Sequence, residues 1–147
     1  MEQPRAGAWA EQAATALAAA GYRRGGARQA VIELLDAQAC GLSAVEIEDA
    51  LRRSAGRSVA RASSYRILEE LERLKLVARI EVGQSLSRYE PARPEHHHHH
   101  MVCDACGQVL PFSDPELERS IAKLTRKVDF SVSEHDVVLH GSCADCR

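Results

Sequence analysis

Apolar residues recur along this chain with two periods, and the period changes where the composition changes. Trp9, Ala13, Ala16, Leu17 and Ala20 share one face at helical spacing, which predicts an opening helix that uses its tryptophan for packing. Ala30, Val31, Leu34 and Leu35 repeat that spacing within Ala27–Ala37, with Cys40-Gly41 as the stop. Ser43-Ala44-Val45-Glu46 reads as a capping box, the serine accepting from a free amide and the glutamate reaching back, and it opens a helix running to Arg53. Gly56 breaks the pattern, and from Ala62 the residues Ser64, Ile67, Leu68, Leu71 and Leu74 mark a further helix led by Arg61, Ser63, Tyr65 and Arg66. The period then drops to two: Leu76–Val82 and Leu86–Tyr89 alternate around Gly83-Gln84, as a hairpin does.

Helices joined by a short Gly-containing turn and followed by a hairpin predict a winged helix-turn-helix. In that frame Arg61, Ser63, Tyr65 and Arg66 face the major groove of DNA, with Arg52, Arg53 and Arg57 nearer the phosphates. The formal net charge of -2 argues weakly against a nucleic-acid partner, but the charge is uneven. No acid lies between Arg52 and Arg66, and the balancing Glu69, Glu70 and Glu72 sit just beyond. A solvated charge run is the plain alternative, and the position of these arginines on a helix-turn-helix favours the DNA reading.

The second part of the chain has a different composition. All seven histidines and four of the five cysteines lie from His96 onward. Pro91-Ala92-Arg93-Pro94-Glu95 reads as a short, stiff linker, so residues 1–90 and 96–147 are expected to be separate domains. His96–Phe112 predicts a strand, a cysteine knuckle and another strand. Asp114-Pro115 starts a helix, acid as N-cap and proline at its first position, with Leu117, Ile121, Leu124 and Val128 as its buried stripe. Phe130–Val132 and Val137–His140 read as further strands. So small a domain cannot build a large core, and zinc and a partner subunit are expected to stabilise it. The fold class is therefore α+β: an N-terminal winged helix-turn-helix domain and a small α/β dimerisation domain.

The chemistry of that domain is metal binding. Cys103-x-x-Cys106 and Cys143-x-x-Cys146 offer four thiolates, enough to surround one tetrahedral zinc and leave no open position. Two disulfides are the rival use of these cysteines, and nothing in the chain resembles a secreted protein. If His96–His100 run on into Met101-Val102-Cys103 as a strand, His97 and His99 project to one face and His98 and His100 to the other. The run then serves two sites rather than being a solvated tract or an expression tag. Glu118, beside the apolar stripe, and His135, at the start of the last strand pair, are the donors available to complete the His97/His99 face.

These motifs together resemble the ferric uptake regulator family. The likeness rests on Tyr65-Arg66 in the recognition helix, the His-rich strand into Met101-Val102-Cys103-Asp-Ala-Cys106-Gly107, Phe112-Ser113-Asp114, and the ending His135-Asp-Val-Val-Leu-His-Gly141-Ser-Cys143-Ala-Asp-Cys146. It covers residues 15–147. The resemblance implies a homodimeric winged-helix repressor that binds operator DNA when loaded with metal and shuts off metal-uptake genes. It implies structural Zn2+ on Cys103, Cys106, Cys143 and Cys146, a dimerisation-domain site on His97, His99, Glu118 and His135, and a regulatory Zn2+ or Fe2+ on Glu90, His98 and His100. The family often adds a histidine before the second helix; Cys40 is the only candidate there. Pro111 stands where the peroxide-sensing branch uses an acid, and His140 replaces a usual aromatic, as a partly exposed strand histidine or a spare ligand.

A thiolate at Cys40 beside imidazoles favours zinc sensing over iron sensing, the alternative. A zinc hydrolase with Glu90 or Glu118 as base is a reading of another class, but catalytic zinc needs an open position, and each set here can be filled by four donors. A metal-storage protein has no use for the arginine-led helix. No segment approaches the ~18 apolar residues of a transmembrane helix, and Glu2 and Glu11 spoil any reading of the Ala-rich start as a signal peptide. The expectation is a cytoplasmic regulator without a membrane or small-molecule substrate.

Overall fold

The computed structural model describes residues 7–38, 41–55, 59–83, 85–93 and 97–147, which form two compact units, Met1–Arg93 and Pro94–Arg147.

In the first unit, α1 (Ala8–Ala19), α2 (Gly26–Asp36), α3 (Ala44–Ala55) and α4 (Arg61–Arg73) pack on a sheet of β1 (Leu42–Ser43), β2 (Val77–Glu81) and β3 (Ser87–Pro91). The sheet order is β1-β3-β2, antiparallel throughout. One core collects the apolar stripe of every helix: Trp9, Ala13 and Leu17 from α1, Val31, Ile32 and Leu35 from α2, Ile47 and Leu51 from α3, Ile67, Leu68 and Leu71 from α4. Trp9 is buried as the spacing predicts, and its Nε1 donates to the Leu76 carbonyl at 3.0 Å, so the indole's polar edge is satisfied too. The capping box forms as written in the sequence: Ser43 N–H donates to Glu46 Oε2 at 2.8 Å and Glu46 N–H to Ser43 Oγ at 3.2 Å. Pro91 ends β3, Ala92 N–H donates to the Leu76 carbonyl, and Arg93 pairs with Asp36 at 3.0 Å, which fastens the head of the expected linker to this unit.

The second unit is a three-stranded sheet in the order β5-β4-β6, built from β4 (His99–Cys103), β5 (Val109–Phe112) and β6 (Val138–Gly141), with α5 (Pro115–Lys127) between β5 and β6. β4 runs antiparallel to β5 and parallel to β6. Asp114 caps α5, its Oδ1 accepting from the Glu116 and Leu117 amides at 2.7 and 3.1 Å, with Pro115 where its missing N–H costs nothing.

Two sequence expectations need correction. The stripe of α5 is not buried within the chain: no residue of α5 is buried, and Leu124 and Val128 are largely exposed. Phe130–Val132 is not a strand; Asp129 turns left-handed at φ 49°, Phe130 N–H bonds back to the Thr125 carbonyl to close the helix, and among the described residues no strand pairs with the segment. The two-residue β1 just ahead of α3 pairs Leu42 and Ser43 with Tyr89 and Arg88. A Cβ on the preceding Gly41 would stand 3.3 Å from the Tyr89 carbonyl, so the bare glycine allows that close approach. No described helix is long and apolar enough to cross a membrane.

Candidate metal centres and a cationic helix

Parallel pairing of β4 with β6 sets Cys103 opposite Gly141, and the chain then turns so that the second knuckle lies beside the first. Each knuckle is a tight turn, closed by Gly107 N–H to the Cys103 carbonyl at 2.8 Å and by Cys146 N–H to the Cys143 carbonyl at 3.1 Å. Gly107 holds φ at 74°, a conformation that side chains resist. The four Sγ atoms lie within 4.8 Å of one another. Cys106 and Cys143 are 3.8 Å apart, which is about the edge of a tetrahedron with Zn–S bonds of ~2.3 Å. The four thiols are free rather than bridged. Amide hydrogen bonds from Cys143 and Cys106 lower the Cys103 thiol to about 6, whereas hydrogen bonds with Cys143, Cys106 and Cys103 push Cys146 up to about 12. One thiolate is ready at neutral pH. Structural zinc takes its cysteines as thiolates, a cation in place of each thiol proton.

The other face of chemistry lies where β4 meets α5. His99 Nε2 is 2.6 Å from Glu118 Oε1, His135 Nε2 is 2.8 Å from Glu118 Oε2, and the Nε2 atoms of His97 and His135 are 3.0 Å apart. Three imidazole nitrogens and a carboxylate converge on one point, with spacings close to the ~3.3 Å edge of a tetrahedral N/O zinc site. His99 is fully buried, its Nδ1 facing the Val137 amide at 3.3 Å. Hydrogen bonds from His99 and then His135 hold the Glu118 carboxyl below its usual range, keeping it anionic as a cation ligand must be.

The alternation of the histidine strand is realised. His97 and His99 contact edge to face at 4.7 Å, and His98 and His100 do so at 4.8 Å. Glu90 is buried on β3 of the first unit, and His100 is buried on β4 of the second. Cys40 lies outside the described residues, as do His96 and Arg57.

On the first unit, α4 presents its leading end outward. Arg61, Tyr65 and Arg66 are exposed and Ser63 half-buried, while Ser64, Ile67 and Leu68 face the core. Arg52 and Arg53 are exposed at the end of α3, with Arg52 paired to Asp49 at 3.3 Å. Behind them α4 is fixed to α2 by a two-pronged bond, Arg28 Nε and Nη2 to Glu70 at 2.7 and 3.0 Å, and Arg28 also stacks over Tyr22. Hydrogen bonding to Arg28 holds the Glu70 carboxyl below its ordinary value.

Two polar contacts near these sites escape the sequence reading. Glu48 of α3 is buried and lies 3.6 Å from Arg61 Nε. Its signal is an acid on the same helical stripe as Ala44, Ile47 and Leu51. His140, exposed on β6 as expected, has its Nδ1 3.0 Å from Asp104, an orientation that spacing alone does not reveal.

Comparison with known proteins agrees with these features. The profile described as "Ferric uptake regulator family" matches residues 19–140. The ferric uptake regulation protein of Helicobacter pylori is 31% identical over 127 residues, covering 86% of this chain and 83% of that protein. The zinc uptake regulation protein of Mycobacterium tuberculosis is 35% identical over 131 residues, covering 89% of this chain and 99% of its own length. The solved structure of the Helicobacter pylori ferric uptake regulator, described as having three functional metal-binding sites, superposes with a TM-score of 0.86 at 27% identity, covering 99% of this chain and 97% of that one.

Proposed function

The chain belongs to the ferric uptake regulator family, and we propose that it is a homodimeric repressor that senses zinc, binding operator DNA of metal-uptake genes when loaded. As a member of that family it is a metal-responsive DNA-binding transcriptional regulator and not an enzyme. The observation that carries the reading is the convergence of His97, His99, Glu118 and His135 in a chain whose other unit exposes the cationic end of a helix-turn-helix. Four donors filling one centre also argue against a hydrolase.

In this reading Cys103, Cys106, Cys143 and Cys146 hold a structural zinc, and His97, His99, Glu118 and His135 hold a second ion. Glu90, His98 and His100 form the regulatory set, with Cys40 as its further ligand. Metal bound there favours the DNA-competent arrangement, which demands different affinities for the two arrangements. Arg61, Ser63, Tyr65 and Arg66 read bases, and Arg52, Arg53 and Arg57 hold phosphates. Dimerisation is supported by the apolar surface of the second unit. Leu124, Val128 and Phe130 are more than half exposed, and Met101, Leu110 and Leu139 line an open groove of about 200 Å³. The repressor acts in the cytoplasm, where its operator lies.

Zinc is supported by imidazole-rich donors and by the likeness to the Mycobacterium tuberculosis zinc regulator along 99% of that protein. Iron is the second reading, favoured by the likeness to the Helicobacter pylori ferric regulator. Titrating Zn2+ and Fe2+ separately into gel-shift assays on genomic operator fragments decides between them. His98→Ala and His100→Ala are expected to abolish the metal-dependent gain in affinity, and Cys40→Ala to resemble them. His97→Ala and His99→Ala are expected to act instead through the Glu118/His135 centre. Equal behaviour of all four histidine variants would overturn the two-face assignment; a gain with Fe2+ alone would replace zinc by iron.

A further inference from the structure

Glu48 is an anomaly of the helix-turn-helix. It occupies the stripe through which α3 packs, between Ile47 and Leu51, and its side chain is only 8% exposed. Its Oε1 is buried and has no hydrogen-bond partner among the described residues. A buried carboxylate needs a compensating cation, and among the described residues the cation it meets is Arg61, whose Nε lies 3.6 Å from that oxygen. Arg61 is the first residue of α4, and its side chain is 68% exposed. One end of this ion pair is therefore anchored inside the protein and the other stands in solvent, at the leading end of the helix.

We infer that Glu48 is a positioning residue for DNA reading: it holds Arg61 by the Nε side, so that the terminal edge of the guanidinium is presented to a guanine. The inference rests on the DNA-binding reading of α4. A guanidinium is a rigid planar fork, and an acid paired with its Nε side by charge biases its orientation while leaving the pair of terminal nitrogens for the O6 and N7 acceptors of guanine. The same acid offsets part of the charge that would draw Arg61 to any phosphate. An arginine paired with an acid adds less to sequence-independent attraction, which depends on net charge, yet keeps its directional donors. Glu48 thus moves Arg61 from holding the backbone to discriminating bases.

The test uses the full metal-loaded chain and a duplex that this chain selects from a random-sequence library. Glu48→Gln preserves size and removes the charge. Its affinity for the selected duplex is expected to fall on the order of tenfold, while its affinity for a scrambled duplex stays level or rises, because the local net charge becomes more positive. Repeating the selection with Glu48→Gln should lose a guanine preference in each half-site, at the position that Arg61→Ala also loses, and the double variant should bind no worse than Arg61→Ala. Equal losses on both duplexes would mean that Glu48 matters only for folding. Losses that add in the double variant, or a Glu48→Gln protein with unchanged discrimination, would also overturn the proposal. Should Glu48→Gln not fold, exposed Arg61 carries the test: Arg61→Lys keeps the charge without the fork, and retained guanine preference in that variant refutes base reading. Arg66→Ala separates the two levels of the argument. If the wild type selects no duplex and Arg66→Ala changes nothing, the DNA reading itself fails and this inference falls with it; a selected duplex that is indifferent to Arg61 sinks the inference alone.

Discussion

Each helix of the first unit turns its apolar stripe into a common core running from Trp9 to Tyr89, whereas α5 of the second unit leaves Leu124 61% and Val128 63% exposed. The same amphipathic pattern has opposite outcomes because burial needs a facing surface, and a sheet of three short strands offers little of one. Its buried residues are few, and two of them, His99 and His100, are imidazoles. The first unit is held by apolar burial and ion pairs of its own. The second is built around donor clusters and an uncovered apolar face, so its stability is tied to what it binds.

That contrast predicts where damage spreads. The largest effect is expected from Cys103→Ser or Cys143→Ser, since metal binding by so small a unit is folding free energy, on the order of several kcal/mol lost with one thiolate. Zinc content and dimer mass should fall together in sedimentation and metal analysis. Trp9, the only tryptophan, sits in the core of the first unit, so its fluorescence should still report a cooperative melt there. A Cys103→Ser protein that keeps its zinc and its dimer would erase the distinction between the units.

The next effect belongs to the first unit. Glu70 is tied to Arg28 by two bonds with its side chain 9% exposed, and replacing it by glutamine should cost about 1–3 kcal/mol, read from Trp9 fluorescence. The sign with pH is fixed by the direction of the shift. Hydrogen bonding to Arg28 holds the Glu70 carboxyl below the ordinary carboxylate range in the folded state, so its contribution is fully present above that range and is lost as pH falls through the lower folded value. The difference between wild type and Glu70→Gln should therefore be largest near neutrality and shrink in acid, below the ordinary carboxylate range. A difference that persists unchanged in acid would mean that the ion pair is not its source.

Legibility in the sequence follows the range of the interaction. The Ser43–Glu46 box, the Asp114-Pro115 cap and the alternation of histidine faces depend on residues within one turn or strand, and spacing alone specifies them. The helix stripe of the first unit was readable for the same reason. What spacing does not carry is whether a partner surface exists. Leu124 and Val128 have the right period and no cover inside the chain, and Phe130–Val132 has strand composition but no strand beside it among the described residues. Leu42–Ser43 pairs where Gly41 lets the chain approach β3 closely, a contact 47 residues away in the case of Gly41 and Arg88. Glu48 was visible as an acid on an apolar stripe, but its partner Arg61 lies across a turn whose path the pattern does not give.

The smallest effects compare like with like, because each unit has a helix capped by a side chain. Ser43→Ala and Asp114→Ala each remove an acceptor for free helix amides, a loss of about 1 kcal/mol apiece. In the first unit, Glu46 still bonds the Ser43 amide and Arg88, so Ser43→Ala should lower the Trp9 melting midpoint slightly and leave metal affinity untouched. In the second unit, α5 carries Glu118 one turn after Asp114. Fraying that first turn loosens a ligand, so the cost of Asp114→Ala should appear as weaker metal binding at His97, His99, Glu118 and His135, with the Trp9 melt unmoved. Parallel metal titrations and fluorescence melts of the two variants measure both quantities. If Asp114→Ala bound metal like the wild type while Ser43→Ala did not, stability and metal binding would be coupled through the opposite unit from the one the fold implies.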